Sequence, residues 1–165
     1  GAVDGTYCSV LVSAQDTTLD VLRARADVVA AVNSTDSLSG WVSLQHAWGG
    51  RPAVIVETGS HLESVRAVAT GRADVASIDA VSWALFAELE PESVSLLHVV
   101  GAGPRVPCLP VVASSAHAGD VPALRAAFAA AVADPAASEA CAALRIRGFV
   151  PMDLADYLPL RSLVP

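Results

Sequence analysis

Apolar residues recur along this chain in two alternating rhythms. Short runs of strand length, rich in Val, Ala and Ile and bounded by turn residues, fall near 7–13, 28–33, 53–57, 74–78 and 94–100. Between them, apolar positions recur at helical spacing near 18–25, 39–48, 61–70 and 80–89. Such alternation predicts an α/β fold: a mostly parallel sheet with helices on both faces. Beyond it, Gly101 to Pro110 (G-A-G-P-R-V-P-C-L-P) is dense in chain breakers and reads as a crossing to another part of the fold. Val121, Leu124, Phe128 and Val132 then trace a helical stripe that must pack on something.

Three turn-like segments stand where a strand pattern gives way to a helical one: Asn33 to Gly40 (N-S-T-D-S-L-S-G), Thr58 to His61 (T-G-S-H) and Ser77 to Asp79 (S-I-D). In a parallel sheet such turns share the carboxyl edge, where open α/β sheets bind ligands. The first turn precedes Trp41, Leu44 and Trp48 at helical spacing, so Ser37 to Gly40 should open a helix. The first N–H groups of a helix lack internal partners and carry positive potential. With the hydroxyls of Ser37 and Ser39 and an unencumbered Gly40, that start suits an oxyanion. A plain N-cap by Ser37 or Asp36 accounts for the same residues.

In the second turn, Ser60 and Glu63 fit a capping box and need no ligand to explain them. His61 is left over: in a first helical turn an imidazolium is disfavoured by the dipole, whereas a neutral imidazole suits donation to a ligand oxygen. An exposed, idle histidine is the alternative. Asp79 closes the third segment, either as a helix cap or as a carboxylate selecting a ligand with an ammonium group or a protonated oxygen.

Taken in order, N-S-T-D-S-L-S-G-W (Asn33 to Trp41), V-E-T-G-S-H-L-E-S-V-R-A-V-A-T-G-R-A-D-V-A-S-I-D-A-V-S-W-A-L (Val56 to Leu85) and P-C-L-P-V-V-A-S (Pro107 to Ser114) resemble the phosphate/phosphonate-type substrate-binding proteins of ABC transporters, over about Gly5 to Pro159. The resemblance implies a two-lobed type II periplasmic binding fold with ligand held between lobes. It implies that Ser37, Leu38, Ser39 and Gly40 form the phosphonate turn, that Ser60 and His61 carry the T-G-S-H site, and that Asp79 is the site acid. Leu38 departs from the family pattern, where many relatives have Ser or Thr, and so removes one hydroxyl. A segment for most of the first lobe has no counterpart. Residues 1–103 then correspond to the second lobe, and 104–165 to the return crossing and the C-terminal helical part of the first. The implied partners are a small oxyanion of the phosphonate or phosphate class and a transporter permease. The implied location lies outside the cytoplasmic membrane. The chain opens with no basic, apolar and cleavage regions of an export signal, which leaves a cytosolic location open.

Composition narrows the classes further. With 53% hydrophobic and 16% charged residues among 165, the chain can bury a sizeable core and is too apolar for disorder. A net charge of −7 argues against a nucleic-acid partner, which wants a basic face. No stretch approaches the ~20 apolar residues of a membrane helix. The three cysteines, Cys8, Cys108 and Cys141, are odd in number and irregular in spacing, so buried thiols are favoured over a Cys8–Cys108 bridge. No Cys or His pair has metal-ligand spacing, and no cofactor motif is present: the Walker A, G-x-S-x-G and H-E-x-x-H patterns are all missing. The reading is a non-catalytic oxyanion-binding protein. A sensor signalling to a protein partner, a homo-oligomer pairing an uncovered face, and a serine enzyme built from Ser37 or Ser39 with His61 and Asp79 are the alternatives.

Overall fold

The computed structural model describes residues 5–163, which fall into two compact units. The larger comprises Tyr7–Val106 and Leu160–Pro165; the smaller comprises Gly1–Thr6 and Pro107–Pro159.

The larger unit is built on a five-stranded sheet. Its strands are β1 (Val10–Ser13), β2 (Val29–Val32), β3 (Val54–Glu57), β4 (Val75–Ile78) and β5 (His98–Ala102), in the spatial order β3-β2-β4-β1-β5. β2 pairs in parallel with β3 and β4, whereas β1 runs antiparallel to both β4 and β5. The sheet is therefore mixed, with its parallel strands grouped at one side. Central strands carry the apolar content expected of burial on two faces: Ala30, Ala31, Val32, Val75, Ala76 and Ile78 are all fully buried. Asp74 pins the amino ends of the parallel strands. Its carboxylate accepts from the Val29 N–H at 2.8 Å and pairs with Arg25 at 3.0 Å.

Helices cover both faces. On one side, Leu11, Leu22, Val28 and Val75 pack with Trp41, Leu44 and Trp48; on the other, Val12, Ala31 and Ala76 pack with Val65, Val68 and Leu97. The connecting helices are α1 (Leu19–Arg23), α2 (Ser43–Trp48), α3 (His61–Ala69), α4 (Ala80–Leu89) and the short α5 (Pro91–Val94). Trp41 and Trp48 are buried, as the apolar spacing implies, and Trp83 packs half-buried against the second cluster. The guanidinium of Arg51 lies 5.2 Å over the Trp41 ring.

The sequence pattern places the last strand near 94–100, and the structure moves it to His98–Ala102. Pro91 supplies a preorganised first helical position, so the apolar residues up to Val94 wind into a turn instead.

The smaller unit contains α6 (Val121–Ala133), α7 (Ser138–Ala143) and α8 (Leu154–Tyr157). Phe128 stacks on Phe149 with ring centroids 5.5 Å apart, and the Tyr157 hydroxyl donates to the Cys108 carbonyl at 3.0 Å. None of its described apolar side chains is buried: Leu109, Val111 and Val112 are all more than 70% exposed, and Leu124 and Phe128 of the predicted stripe remain well exposed. An open apolar groove of about 560 Å³ runs between residues 109–113, α6 and residues 149–154. Among the described residues the cysteines are half-buried thiols, and no helix is long and apolar enough to cross a membrane.

Candidate functional site

The parallel strands end together. Val32 lies opposite Glu57 and Ala31 opposite Ala76, so the turns after β2, β3 and β4 emerge side by side at one edge of the sheet. These are the three turns singled out from sequence. β1 begins at that same edge, with Val10 opposite both Ile78 and Ala102.

The first turn opens a helix by an unusually wide first winding. Leu38–Val42 is π-helical: the Ser37 carbonyl accepts from the N–H groups of both Trp41 and Val42 at 3.0 Å, and the chain then continues into α2. Single π turns inside helices are frequent at functional sites. Ser37 is the cap, its hydroxyl accepting from the Gly40 N–H at 3.0 Å. The Gly40 N–H is thereby spent, and the Leu38 and Ser39 N–H groups are those left at the helix start by the geometry of any helix N-terminus.

Gly40 is needed for a different contact from the one its sequence position suggests. A Cβ there would collide with the Asn33 Oδ1, so it is the Asn33 amide, rather than open space for a ligand, that lies along that direction. Leu38 turns its side chain onto the first core cluster. Its contribution to the turn is therefore its backbone alone.

The second turn is tied to the first. Thr58 N–H and Oγ1 both donate to the Val32 carbonyl, at 2.8 and 3.0 Å, and the Gly59 N–H donates to the Asn33 carbonyl at 2.9 Å. Gly59 has φ +86°, a left-handed conformation that suits glycine. Ser60 caps α3 by accepting from the Glu63 N–H at 3.1 Å. The reciprocal half of the expected capping box is replaced: the Glu63 carboxylate turns to Arg66 at 2.8 Å, which also pairs with Glu90 at 2.6 Å. Ser60 is thus a cap, and His61 begins the helix with its ring directed to the first turn.

There the two turns meet. His61 Nε2 lies 2.9 Å from Ser39 Oγ, and His61 Nδ1 is buried without a hydrogen-bond partner among the described residues. Burial pushes the His61 pKa below its ordinary value, against the opposing pull of the Asp79 carboxylate and the Ser77 backbone, so the ring is neutral at pH 7. Asp79 caps α4, its Oδ1 accepting from the Val81 and Ser82 N–H groups at 2.9 Å each.

Sequence reasoning missed the role of Ser77. Fully buried on β4, it donates from Oγ to the Ser39 carbonyl at 2.7 Å and so bolts the π turn to the sheet. The available signal was a hydroxyl inside an otherwise apolar central strand. Asn33, which joins both turns, was read as the end of its strand and the first residue of the turn, with no role of its own. Ser37, Leu38, Ser39, Gly40, Ser60, His61 and Asp79 are all on the larger unit and along one sheet edge. The Ser39 hydroxyl and His61 ring touch, whereas Leu38 and Ser60 have side chains committed elsewhere. Chemically, the edge offers helix-start N–H groups, one hydroxyl, one neutral imidazole and one carboxylate. Among the described residues no group of three or more His, Cys, Asp and Glu side chains is placed to hold a metal ion.

Helix starts gathered at the carboxyl edge of such a sheet are where open α/β folds bind ligands. Residues 2–157 match the model of the ABC-transporter phosphonate periplasmic substrate-binding proteins, and the chain belongs to that family. It is a family of transport binding proteins, not of enzymes. No curated protein matches the chain in sequence. Among solved structures, the binding-protein component of an ABC phosphonate transporter from Pseudomonas aeruginosa superposes with a TM-score of 0.77 at 20% identity, over 98% of this chain and 57% of that one. PhnD1 from Prochlorococcus marinus, solved with methylphosphonate, gives 0.71 at 14% identity over 97% and 66%. A Xanthomonas citri protein solved bound to ATP gives 0.68 at 20% identity over 96% and 64%. At these identities the likeness is one of fold. The chain spans roughly three fifths of the length of these neighbours.

Proposed function

We propose that this chain carries the ligand-holding turns of a solute-binding protein serving an ABC-type uptake system, and that its ligand is a phosphonate- or phosphate-like oxyanion. The observation that supports this most is the meeting of Ser39 Oγ and His61 Nε2 at 2.9 Å beside the start of the π turn. The Leu38 and Ser39 N–H groups and the two side chains then face one oxyanion, and the dipole at the helix start adds to their attraction. Asp79 is the selective element. It accepts from a protonated ligand oxygen or an ammonium group and repels a fully ionised anion. The location that goes with this role is extracytoplasmic, and the protein partner is a membrane permease that reads closure around the ligand.

Binding rather than catalysis fits the same atoms. A serine triad needs its histidine oriented through Nδ1 by a carboxylate. His61 Nδ1 makes no such bond, and Asp79 Oδ1 is occupied with the head of α4.

The smaller unit belongs, in this reading, to the other lobe. Its described apolar residues line an open groove and bury nothing, which is what a segment shows when the rest of its core lies in chain beyond these 165 residues. The larger unit is then one lobe, and the smaller unit part of its neighbour.

Calorimetric titration with phosphate, phosphite, methylphosphonate, aminoethylphosphonate and methanesulfonate, on this chain and on the longest form its gene encodes, tests the reading. Oxyanion binding that Ser39→Ala and His61→Ala each weaken at least tenfold is the expected result. Affinities unchanged in both variants would remove these turns from the site.

A further inference from the structure

Asn33 follows β2 at the point where the first two turns join, and its side chain does not do what an asparagine in that place ordinarily does. An asparagine that ends a strand ties down the next turn by accepting backbone N–H groups on its own Oδ1. Here Oδ1 is buried and accepts no hydrogen bond among the described residues. It is turned against the backbone of Gly40, with the Ser37 hydroxyl 3.2 Å from the place a Gly40 Cβ would take. Only the α-hydrogen of a glycine fits there, a weak contact that suits an oxygen.

The other end of the amide points the opposite way. Among the described residues Nδ2 is engaged by no hydrogen bond, and unlike Oδ1 it is not shut away from solvent; Asn33 as a whole is half-buried. Its backbone is fixed, because the Asn33 carbonyl receives the Gly59 N–H at 2.9 Å and the neighbouring Val32 carbonyl receives the Thr58 N–H at 2.8 Å. Two N–H donors are thus held on a strand end, between the turn of Ser39 and the turn of His61.

Donors are scarce at this edge. The Gly40 N–H is spent on Ser37, the Val81 and Ser82 N–H groups are spent on Asp79, and the Leu38 side chain lies on the core. The Leu38 and Ser39 N–H groups and the Ser39 hydroxyl remain for an anion with three oxygens, each able to accept more than one hydrogen bond. The Asn33 amide adds two donors and no charge. Turned over, it would face an anion with its carbonyl oxygen, so a bound oxyanion holds Nδ2 outward.

We infer that Asn33 is a further ligand-binding residue of the oxyanion site proposed above, on which this inference rests: its Nδ2 donates to a ligand oxygen, and the contact of Oδ1 with Gly40 keeps the amide in the donating orientation. Asn33 at the end of β2 and Asp79 at the end of β4 then divide the recognition. The amide reads an unprotonated oxygen, and the carboxylate reads a protonated oxygen or an ammonium group.

The test is calorimetric titration of the longest form the gene encodes, as wild type, Ser39→Ala, Asn33→Ala and Asn33→Asp, with methylphosphonate, phosphate and aminoethylphosphonate. Asn33→Ala should weaken methylphosphonate and phosphate about ten- to a hundredfold, the scale of a hydrogen bond to a charged group. Its midpoint of urea unfolding should hold or rise, because a buried unpaired acceptor leaves with the side chain. Asn33→Asp keeps the shape and replaces the donors by acceptors, so it should weaken methylphosphonate further and shift preference toward aminoethylphosphonate. In wild type, the side-chain amide nitrogen-15 and proton signals of Asn33 should move on saturation with methylphosphonate and gain protection from exchange. A merely structural asparagine gives the reverse: a lowered midpoint in Asn33→Ala and amide signals that the ligand leaves in place. Methylphosphonate binding that Ser39→Ala weakens and Asn33→Ala does not overturns the role of Asn33 and leaves the oxyanion site standing. No binding of any of the three ligands to wild type overturns the site and this inference with it.

Discussion

The hydroxyl of Ser77 donates to the carbonyl of Ser39 at 2.7 Å. One buried side chain on a central strand thus fixes the backbone of the turn whose own hydroxyl meets His61. The bond is made away from water, so it holds the turn in place whether or not a ligand is present.

Ser77→Ala should therefore cost function as well as stability. Loss of one buried hydrogen bond, with the Ser39 carbonyl left short of a donor, costs about 1–3 kcal/mol. The turn is then free to drift relative to His61, and oxyanion affinity should fall at least tenfold. Urea unfolding and calorimetric titration measure the two effects on the same sample. An unchanged affinity of the folded variant would mean that the bond only holds the fold.

Gly40→Ala probes the junction of the two turns. The added methyl meets the Asn33 Oδ1 at a distance no real contact allows, so Asn33 must rotate away. Its carbonyl also receives the Gly59 N–H, so the disturbance reaches the His61 turn. Overpacking of this kind costs about 1–3 kcal/mol. Asn33→Ala in the same chain should recover much of it, a coupling that a double-mutant cycle in denaturant detects. Independent, additive effects would show that the two residues do not compete for one space.

Much of this edge was legible in the chain. β2 and β4 announced themselves because strands buried on both faces must be apolar, β3 as a short Val and Ile run at the sheet edge, and the turns after them followed from the composition of residues 33–40 and 58–61. The Ser60 cap was equally local and equally readable. The pairing of Ser39 with His61 was not, because it depends on the register that sets Val32 opposite Glu57. The π turn was hidden for a related reason. The turn is tied to the sheet by Ser77, 38 residues from Ser39, and no local pattern records that contact. Leu38 misled by position: it stands between two exposed-looking serines, yet its side chain serves the core.

The empty protein should lose stability on acidification through the histidine range. His61 has a folded-state pKa below its unfolded one, so the unfolded chain binds more protons between the two values and stability rises with pH there. The contribution is complete above the ordinary histidine pKa and is lost as pH falls through the depressed one. Thermal melts of ligand-free protein between pH 4.5 and 7.5, at about half-unit steps, should show this slope, and His61→Gln should flatten it. A slope unchanged by that substitution would assign it to other groups.

Asp79→Asn separates the two roles of its carboxylate. Asparagine is as good an N-cap as aspartate, so α4 should keep its Val81 and Ser82 bonds and the stability change should stay within about 0.5 kcal/mol. The charge, however, is gone. His61 loses the carboxylate that pulls its pKa upward, so its titration should move further down, as proton-resolved spectra of the imidazole would record. Ligand preference should move in the same experiment: a ligand bearing an ammonium loses its acceptor, whereas a fully ionised anion loses a repelling neighbour. Aminoethylphosphonate should weaken relative to phosphate by a factor of about ten, the scale of one charge-assisted hydrogen bond in a partly buried site. Asp79→Ala adds the loss of the cap, about 1 kcal/mol of stability, with the same change of preference. Equal loss of both ligands in Asp79→Asn would make Asp79 a cap alone, and the selectivity of the site would then have to come from chain beyond these turns.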